Sequence, residues 1–386
     1  MVNTMTSKER MITALEGGKP DVVPVAPYFW GAEYTWKVAG VEIWELLYGD
    51  REMSFIGNDM LYQRHRCDWI FVHKFGNGWL EGKNVEKVDG RIFITDTDGT
   101  KYEFLMDGHQ LVRIDARKDH APNTGIVNRD IKTKSDIDKL WGGPRASRSR
   151  KKIDIPNDNW QRRLIEKYGD YVFMVAGGIS PFVQACYTLG FETSLIMMKE
   201  SPDTFIYLMD RFYEDSLQHY EWIAACGYDA VLIAESWAST DIISPVQYEK
   251  FAFPYQKAAI DASHEQGLKA ILYSTGSLLP ILPKMRELGA DAITVEEGRK
   301  GDPIDIGKVR EIMGPKYCVF GNFDAENVLL RGSKDDVERE VIRQINSAGK
   351  DGAFVMCTGS PICDDTDPEM VDAFISLTRE YGVYGD

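Results

Sequence analysis

The chain has 386 residues, 44% of them hydrophobic, enough for a full-sized core in one large α/β domain or two average ones; disordered, collagen-like and fibrous classes are excluded. Its 45 Lys and Arg stand against 60 Asp and Glu, a formal charge of −15. A nucleic-acid or anionic-membrane binder needs the opposite sign, and the basic cluster at residues 145–152 is short.

The first residues already carry Lys8, Glu9 and Arg10 with no apolar region behind them, so no secretory signal is expected. No uncharged stretch approaches the roughly 18 apolar residues of a membrane-spanning helix. Cys67, Cys186, Cys226, Cys318, Cys357 and Cys363 lie far apart without CxxC spacing, which suits a reducing cytoplasm and argues against a disulfide scaffold or a zinc ribbon.

Short apolar runs alternate with amphipathic helical stretches, the mark of repeated βα units. Core strands are predicted at residues 22–27, 69–73, 171–176, 230–235, 270–275, 292–297, 317–320 and 353–357. Most are near-continuous apolar runs, as in a parallel sheet covered on both faces. Eight such strands point to a closed (β/α)8 TIM barrel, a single α/β domain over residues 1–386. After the second strand, at about residues 80–116, Asp89-Gly90, Asp98-Gly99 and Asp107-Gly108 punctuate alternating runs at 85–88, 92–95, 102–105 and 111–114. Asp-Gly between alternating runs is a hairpin signal, so a small β meander is expected as an insertion. A polar connection, basic at 145–152, then leads to a helix near 159–167. The pair Gly177-Gly178 ahead of Ser180-Pro181 predicts a tight strand-to-helix turn. Ser201, Pro202 and Asp203 open a helix that buries Phe205, Leu208, Phe212 and Leu217 and stops at Gly227. Ser333 and Asp336 open another, with Val337, Val341, Ile342 and Ile345 as its buried stripe before Gly349.

In a barrel, catalytic groups come from the C-terminal ends of the strands and the loops after them. That rule collects Phe29 and Trp30, His73, Gly177 and Gly178, Glu235 with Ser236 and Trp237, Tyr273 with Thr275, Glu296 and Glu297, Asn322 with Asp324, and Cys357 through Ser360. An unpaired buried carboxylate costs on the order of several kcal/mol, so Glu235 and Glu296 are the acid/base candidates. Each candidate also has a structural reading. Glu235 can accept loop amides, Glu297 can be a solvated or salt-bridged rim charge and His73 a satisfied core-edge histidine; Trp30, Trp36 and Trp237 can be ordinary packing, and Cys357 and Cys363 structural thiols.

Several motifs follow one another in a telling order. They are Ser7 to Arg10 with Pro20, Asp21 and Pro24; Gly178-Ile179-Ser180-Pro181-Phe182; Glu235-Ser236-Trp237-Ala238; Ile243-Ser244-Pro245 with Tyr248 and Phe251; Pro254-Tyr255; Gly321-Asn322-Phe323-Asp324; and Asp367-Pro368-Glu369. In order and spacing the chain resembles the uroporphyrinogen decarboxylase superfamily, which also contains cobalamin-dependent methyltransferases. The resemblance covers nearly the whole chain and implies the (β/α)8 barrel. Tetrapyrrole decarboxylases of the superfamily hold substrate carboxylates with arginines after the first strand; residues 27–33 here have none, and the final-strand histidine falls on Ser360. Thiol methyltransferases of the superfamily bind zinc through a His-x-Cys pair and a second Cys; here those places read Tyr273, Thr275 and Ser360, poor zinc ligands. A zinc set rebuilt from Glu235, His73 and Cys357 is the alternative.

What the resemblance then implies is a corrinoid-protein-dependent methyltransferase, the O-demethylase component that demethylates a small methoxylated aromatic and passes the methyl group to cob(I)alamin on a partner protein. In that reading Glu235 and Tyr273 supply the proton for the departing phenolate, with Glu296 as a further acid/base group. Trp30 and Trp237 sandwich the ring, and Phe29, His73, Ser236, Thr275, Asn322 and Ser360 line the substrate. The competing readings are a metal-free decarboxylase or lyase on a smaller acid oriented by Glu235 and Ser236, a methylamine or betaine:corrinoid methyltransferase, and a barrel kept as a non-enzymatic partner in a corrinoid complex. The expected partners are a corrinoid protein and a small methyl donor, with no nucleic acid and no membrane; the hairpin insertion would serve equally as a lid or as a homodimer contact. The expected location is the cytoplasm.

Overall fold

A computed structural model describes residues 4–106, 109–114, 131–144, 153, 155, 159–298 and 304–385; the Asp107-Gly108 turn and the basic stretch 145–152 lie outside these described residues. The strands are β1 (Trp69–Val72), β2 (Asn84–Val88), β3 (Arg91–Thr95), β4 (Lys101–Leu105), β5 (Gln110–Arg113), β6 (Phe173–Ile179), β7 (Ala230–Glu235), β8 (Lys269–Ser274), β9 (Ala292–Val295), β10 (Cys318–Phe320) and β11 (Phe354–Val355). The chain packs as two compact units. One comprises Met1–Tyr28, Cys67–Val72 and Gly125–Asp386, the other Phe29–Arg66 and His73–Thr124.

The larger unit is built on a parallel sheet of seven strands in the order β1-β6-β7-β8-β9-β10-β11. Its strands are buried along almost their whole length, which is why they read as continuous apolar runs. Helices from the same unit cover the outer face. The longest, Pro202–Cys226, buries Phe205, Leu208, Met209, Tyr220 and Ile223 and ends where Gly227 takes the left-handed conformation at φ 97°. The helix Lys334–Gln344 starts at the expected reciprocal cap of Ser333 and Asp336. Among the described residues no helix is long and apolar enough to cross a membrane.

Eight ladder strands are predicted, and among the described residues seven form the parallel sheet. The segment 22–27 makes only single bridges, Val22 to Val383 and Val25 to Met356. Pro24 and Pro27 have no N–H to give to a ladder, and the Val25 N–H is taken by the buried Asp68 carboxylate at 2.8 Å. The segment still accepts the Asp68 N–H at the carbonyl of Val25, and Ala26 donates to Met356 O. The glycine pair also departs from expectation: Gly177 and Gly178 lie inside β6, and the turn comes one step later at Ser180.

The smaller unit holds the helices Ala32–Ala39, Ile43–Tyr48 and Glu52–His65 and an antiparallel sheet of four consecutive strands, β2-β3-β4-β5. Asp89 and Gly90 both take positive φ, 49° and 78°, the geometry a tight two-residue hairpin requires. Ile92 and Ile94 face one side of β3 and pack with Phe104 and Ile43 into a separate core, against which Trp36, Trp44 and Trp79 lie partly buried. Each fully buried aliphatic side chain there stabilises the unit by roughly 1.5–3 kcal/mol.

Candidate active site

In the larger unit, strand parity sorts the residues at the C-terminal end of the sheet into two groups. Side chains alternate across a strand, and Glu235 pairs with Ser274 while Ala234 pairs with Tyr273. Glu235 and Tyr273 therefore face opposite sides.

Glu235 faces the helices. Its Oε2 accepts the Ser180 hydroxyl at 2.6 Å, and Ser180 in turn caps the helix Pro181–Leu189 through the Val183 N–H. Gln256, on the helix Phe253–Glu265, lies beside the carboxyl and accepts the Tyr248 hydroxyl at 2.7 Å. All four side chains are buried. Burial pushes the Glu235 carboxyl up to about 7, against the opposing pull of Ser180, Gln256 and the N–H groups of Trp237 and Ala238. The expected acid is thus turned away from the inner face, into the sheet–helix layer.

Tyr273 occupies the inner face. Its ring lies 5.0 Å from that of Tyr28, which packs in turn on Phe71 at 5.4 Å. The Tyr273 hydroxyl donates to Gly359 O at 3.2 Å. Burial, then the nearby Tyr28, Glu296 and Glu297, raise its pKa far above the usual tyrosine range, so it stays a neutral donor. Tyr28 is raised in the same way by burial, with Cys357 and Tyr187 adding to it. Cys357 is itself held as a thiol by burial and donates to Thr358 O.

Beside this pair stands a second aromatic group. Trp237 packs edge-on against Tyr187 and Phe191, both at 5.4 Å, and the Tyr187 and Ser236 hydroxyls are 3.4 Å apart. Phe191 is 46% exposed, so this wall opens to solvent.

Glu296 ties three loops together. Its Oε2 accepts the Gly276 N–H at 3.2 Å and its Oε1 the Ser360 hydroxyl at 3.3 Å. Asn322 donates to Ile304 O at 2.7 Å and to Glu296 O at 3.4 Å, which makes it a brace for the loop after β9. Thr275 donates to Ser236 O at 3.0 Å. These loops border a cleft of about 440 Å³ lined by Ser236, Thr275 and further hydroxyls and by the carboxylates of Asp241, Glu296 and Glu297. Glu297 is not solvated: it is 6% exposed and packs against Gly359, where a Cβ would collide with it.

The remaining predicted residues belong to the smaller unit. His73 donates from Nε2 to Phe29 O at 2.6 Å, and Asn58 clamps its backbone on both sides. Burial lowers the imidazole to about 4, so it is neutral at physiological pH, the satisfied core-edge histidine. Phe29 stacks on Tyr34 and His65, and Trp30, 48% exposed, stands edge-on to His73. Each tryptophan of the expected sandwich already packs within its own unit.

Comparison with known proteins locates this arrangement. The family model described as uroporphyrinogen decarboxylase (URO-D) matches residues 129–381. The chain belongs to the uroporphyrinogen decarboxylase family. The uroporphyrinogen decarboxylase of Trichlorobacter lovleyi is 26% identical over 267 residues, 66% of this chain and 73% of that protein. That of Geobacter metallireducens is 27% identical over 203 residues, 51% of this chain and 56% of its own length. Among solved structures, a methyltransferase from Methanosarcina mazei shares the fold, with a TM-score of 0.68 over 98% of this chain and 99% of that one at 19% identity.

Within the uroporphyrinogen decarboxylase family, the three places that carry zinc in the thiol methyltransferases are filled here by committed hydrogen-bonding groups: Tyr273 on Gly359 O, Thr275 on Ser236 O and Ser360 on Glu296. They do not fit that metal. Among the described residues no group of three His, Cys, Asp or Glu side chains is placed to hold a metal ion.

Several residues with a part in this geometry escape the strand-end rule. Tyr28 lies just before the predicted pair Phe29 and Trp30, and the proline at 27 was its only local signal. Ser180, Tyr187, Tyr248 and Gln256 sit on the caps and helices around the sheet and reach the strand ends from outside. Ser239 and Asp241 come from the loop after β7, with Gly276 at φ +82° packed so closely on them that a Cβ has no room.

Proposed function

We propose that this chain is a corrinoid-protein-dependent methyltransferase that demethylates a small methoxylated aromatic. The observation that carries the reading is the pair of buried, protonated phenols Tyr28 and Tyr273 beside the aromatic wall of Phe71, Tyr187 and Trp237. A reduced corrinoid on a separate protein supplies the nucleophile that takes the methyl group. The chain's own part is to hold the ring and to stabilise the oxygen it leaves behind. Tyr28 and Phe71, their rings tilted 41° to each other, offer an apolar corner to the ring. As the O–CH3 bond breaks, its electron pair stays on the aryl oxygen; the Tyr273 O–H donates a hydrogen bond to that oxygen, and the phenolate takes its proton from solvent. Burial, with Tyr28, Glu296 and Glu297 nearby, holds Tyr273 neutral, so it remains a hydrogen-bond donor throughout.

The same reading takes residues 22–27 as the eighth stave of a closed (β/α)8 barrel, with the meander β2–β5 inserted after its second strand. The exposed Phe191 and Ile179, at the open end of the sheet, give an apolar corrin-bearing partner a surface to meet. It also places the protein in the cytoplasm beside that partner. A second donor class, methylated amines, is favoured by one feature: Asp241, Glu296 and Glu297 all line the cleft, and carboxylates suit a cationic nitrogen.

The test is a screen of methoxyarenes and methylamines with the purified protein and cob(I)alamin, free or on a corrinoid protein, read by the corrinoid absorbance. Turnover of methoxyarenes supports the reading, and turnover of amines alone selects the second donor class. Carbon dioxide released from an acid without any corrinoid would replace both with the decarboxylase.

A further inference from the structure

The carboxyl of Glu235 sits where three elements meet. Ser180 joins it to the start of the helix Pro181–Leu189, Gln256 and Tyr248 join it to the helix Phe253–Glu265 and the π-helical turn Tyr248–Ala252, and its own strand ends there. The helix that Ser180 caps returns to the same loop at its far end, where Tyr187 meets the Ser236 hydroxyl and packs on Trp237. The helix is therefore docked on the loop after β7 at two points about seven residues apart along it, one at Glu235 and one at Ser236 and Trp237. The N–H groups of Trp237 and Ala238 lie close enough to draw on the carboxyl, so the loop turns around it. The second carboxyl oxygen, Oε1, and the Gln256 amide nitrogen are both buried.

We infer that Glu235 is a positioning residue, whose carboxyl locks the loop bearing Ser236 and Trp237 against the helix that carries Tyr187. It contacts neither substrate nor corrinoid. The lock works best with the carboxyl protonated, because every element packed on it offers neutral groups: Ser180 and the thiol of Cys186 from one helix, Tyr248 and Gln256 from the other, and backbone amides from its own loop. A protonated acid meets them without a charge to bury, and an ionised one does not. The kinetic part of this inference rests on the methyltransferase reading; the structural part does not.

The experiment compares wild type with Glu235→Gln and Glu235→Ala in thermal melts from pH 5.5 to 8.5 and, with the donor found in the screen, in kcat and KM. Gln keeps an acceptor oxygen for the Ser180 hydroxyl and carries no charge, so it should melt like wild type at pH 5.5 and lose the wild type's fall at pH 8.5. Its kcat should stay within about threefold. Ala should melt lower at every pH and raise KM about tenfold or more. A hundredfold loss of kcat in Glu235→Gln with an unchanged melt would make Glu235 the acid and overturn the inference, as would three identical melting curves. If wild type turns over no donor, the methyltransferase reading fails, and the melts alone still decide the lock.

Discussion

Glu235 and Tyr273 end neighbouring strands, β7 and β8, and are both buried, yet they face opposite sides of the sheet and live in different chemistry. On the outer side, Glu235 is surrounded by helix caps and an amide, groups that hold elements together. On the inner side, Tyr273 meets a second phenol, an aromatic ring and two nearby carboxylates. The difference teaches that a strand-end residue is assigned by its face before its chemistry. A carboxyl with a raised pKa attracts a catalytic reading, but here the raised value belongs to the packing layer.

The largest effect expected from this contrast is kinetic. Tyr273→Phe removes the hydroxyl and keeps the ring, so in the proposed reaction methyl transfer should fall roughly 100-fold or more in kcat, the usual scale of a lost hydrogen-bond donor to a developing oxyanion. Its stability should barely change, since the hydroxyl gives only a 3.2 Å bond to Gly359 O. Steady-state rates alongside a denaturant melt check both halves. A fall in stability with kcat intact would move Tyr273 into the structural group beside Glu235.

The next effect is thermodynamic and falls on the outer side. Glu235 has its pKa raised from the ordinary 4.5 to about 7 in the folded chain. Below about 4.5 it is protonated in both states and adds no penalty; as pH rises, the unfolded chain ionises first, and stability is lost until the folded carboxyl also ionises near 7. The shift corresponds to a loss on the order of 3 kcal/mol across that window. Urea unfolding at pH 5 and pH 8 measures it, and in Glu235→Gln this contribution should be absent. An unchanged pH slope in that variant would place the titrating group elsewhere.

The positions of β1 and β6 to β11 were legible because continuous apolar runs mark buried parallel strands, and the hairpin at Asp89-Gly90 because few residue pairs accept two positive φ values. The same continuity hides the faces. In β7 the run Ala230 to Ala234 is apolar at every position, so no in–out alternation says which way Glu235 points. The cap Ser180 and Gln256, which settle it, come from 55 residues before and from a different helix after. Segment 22–27 misled for a local reason, two prolines, and a distant one, the Asp68 side chain that takes the Val25 N–H. Glu297 reads as a rim charge because nothing near it in the chain announces Gly359, the residue with space for its carboxylate.

A smaller effect tests the inner loops. Gly276, at φ +82°, lies against Ser239 and Asp241 and gives its N–H to Glu296. Gly276→Ala should cost roughly 1–3 kcal/mol through the left-handed backbone alone. Because the same step pushes the cleft's two loops apart, KM for the donor should rise more than kcat falls. Equal loss in both would say that the loop carries chemistry as well as binding.

The smallest effect separates the two faces most finely, and it uses two serine caps of the same kind. Ser333 caps the helix Lys334–Gln344 in an exposed reciprocal pair with Asp336. Ser180 caps the helix Pro181–Leu189 while giving its own hydroxyl proton to the buried Glu235. Replacing either by Ala loses one cap, about 1 kcal/mol. For Ser333→Ala that should be the whole cost, the same at pH 5 and pH 8, because Asp336 is already ionised across that range. Ser180→Ala should match it at pH 5 and exceed it at pH 8. There the ionised Glu235 has lost the Ser180 donor, and a hydrogen bond to a charged group contributes about 1.5–3 kcal/mol. Paired urea titrations of the two variants at the two pH values resolve a difference of that size. Equal costs at pH 8 would mean that Ser180 is only a cap, and that the carboxyl beside it draws its support from Gln256 and the loop amides.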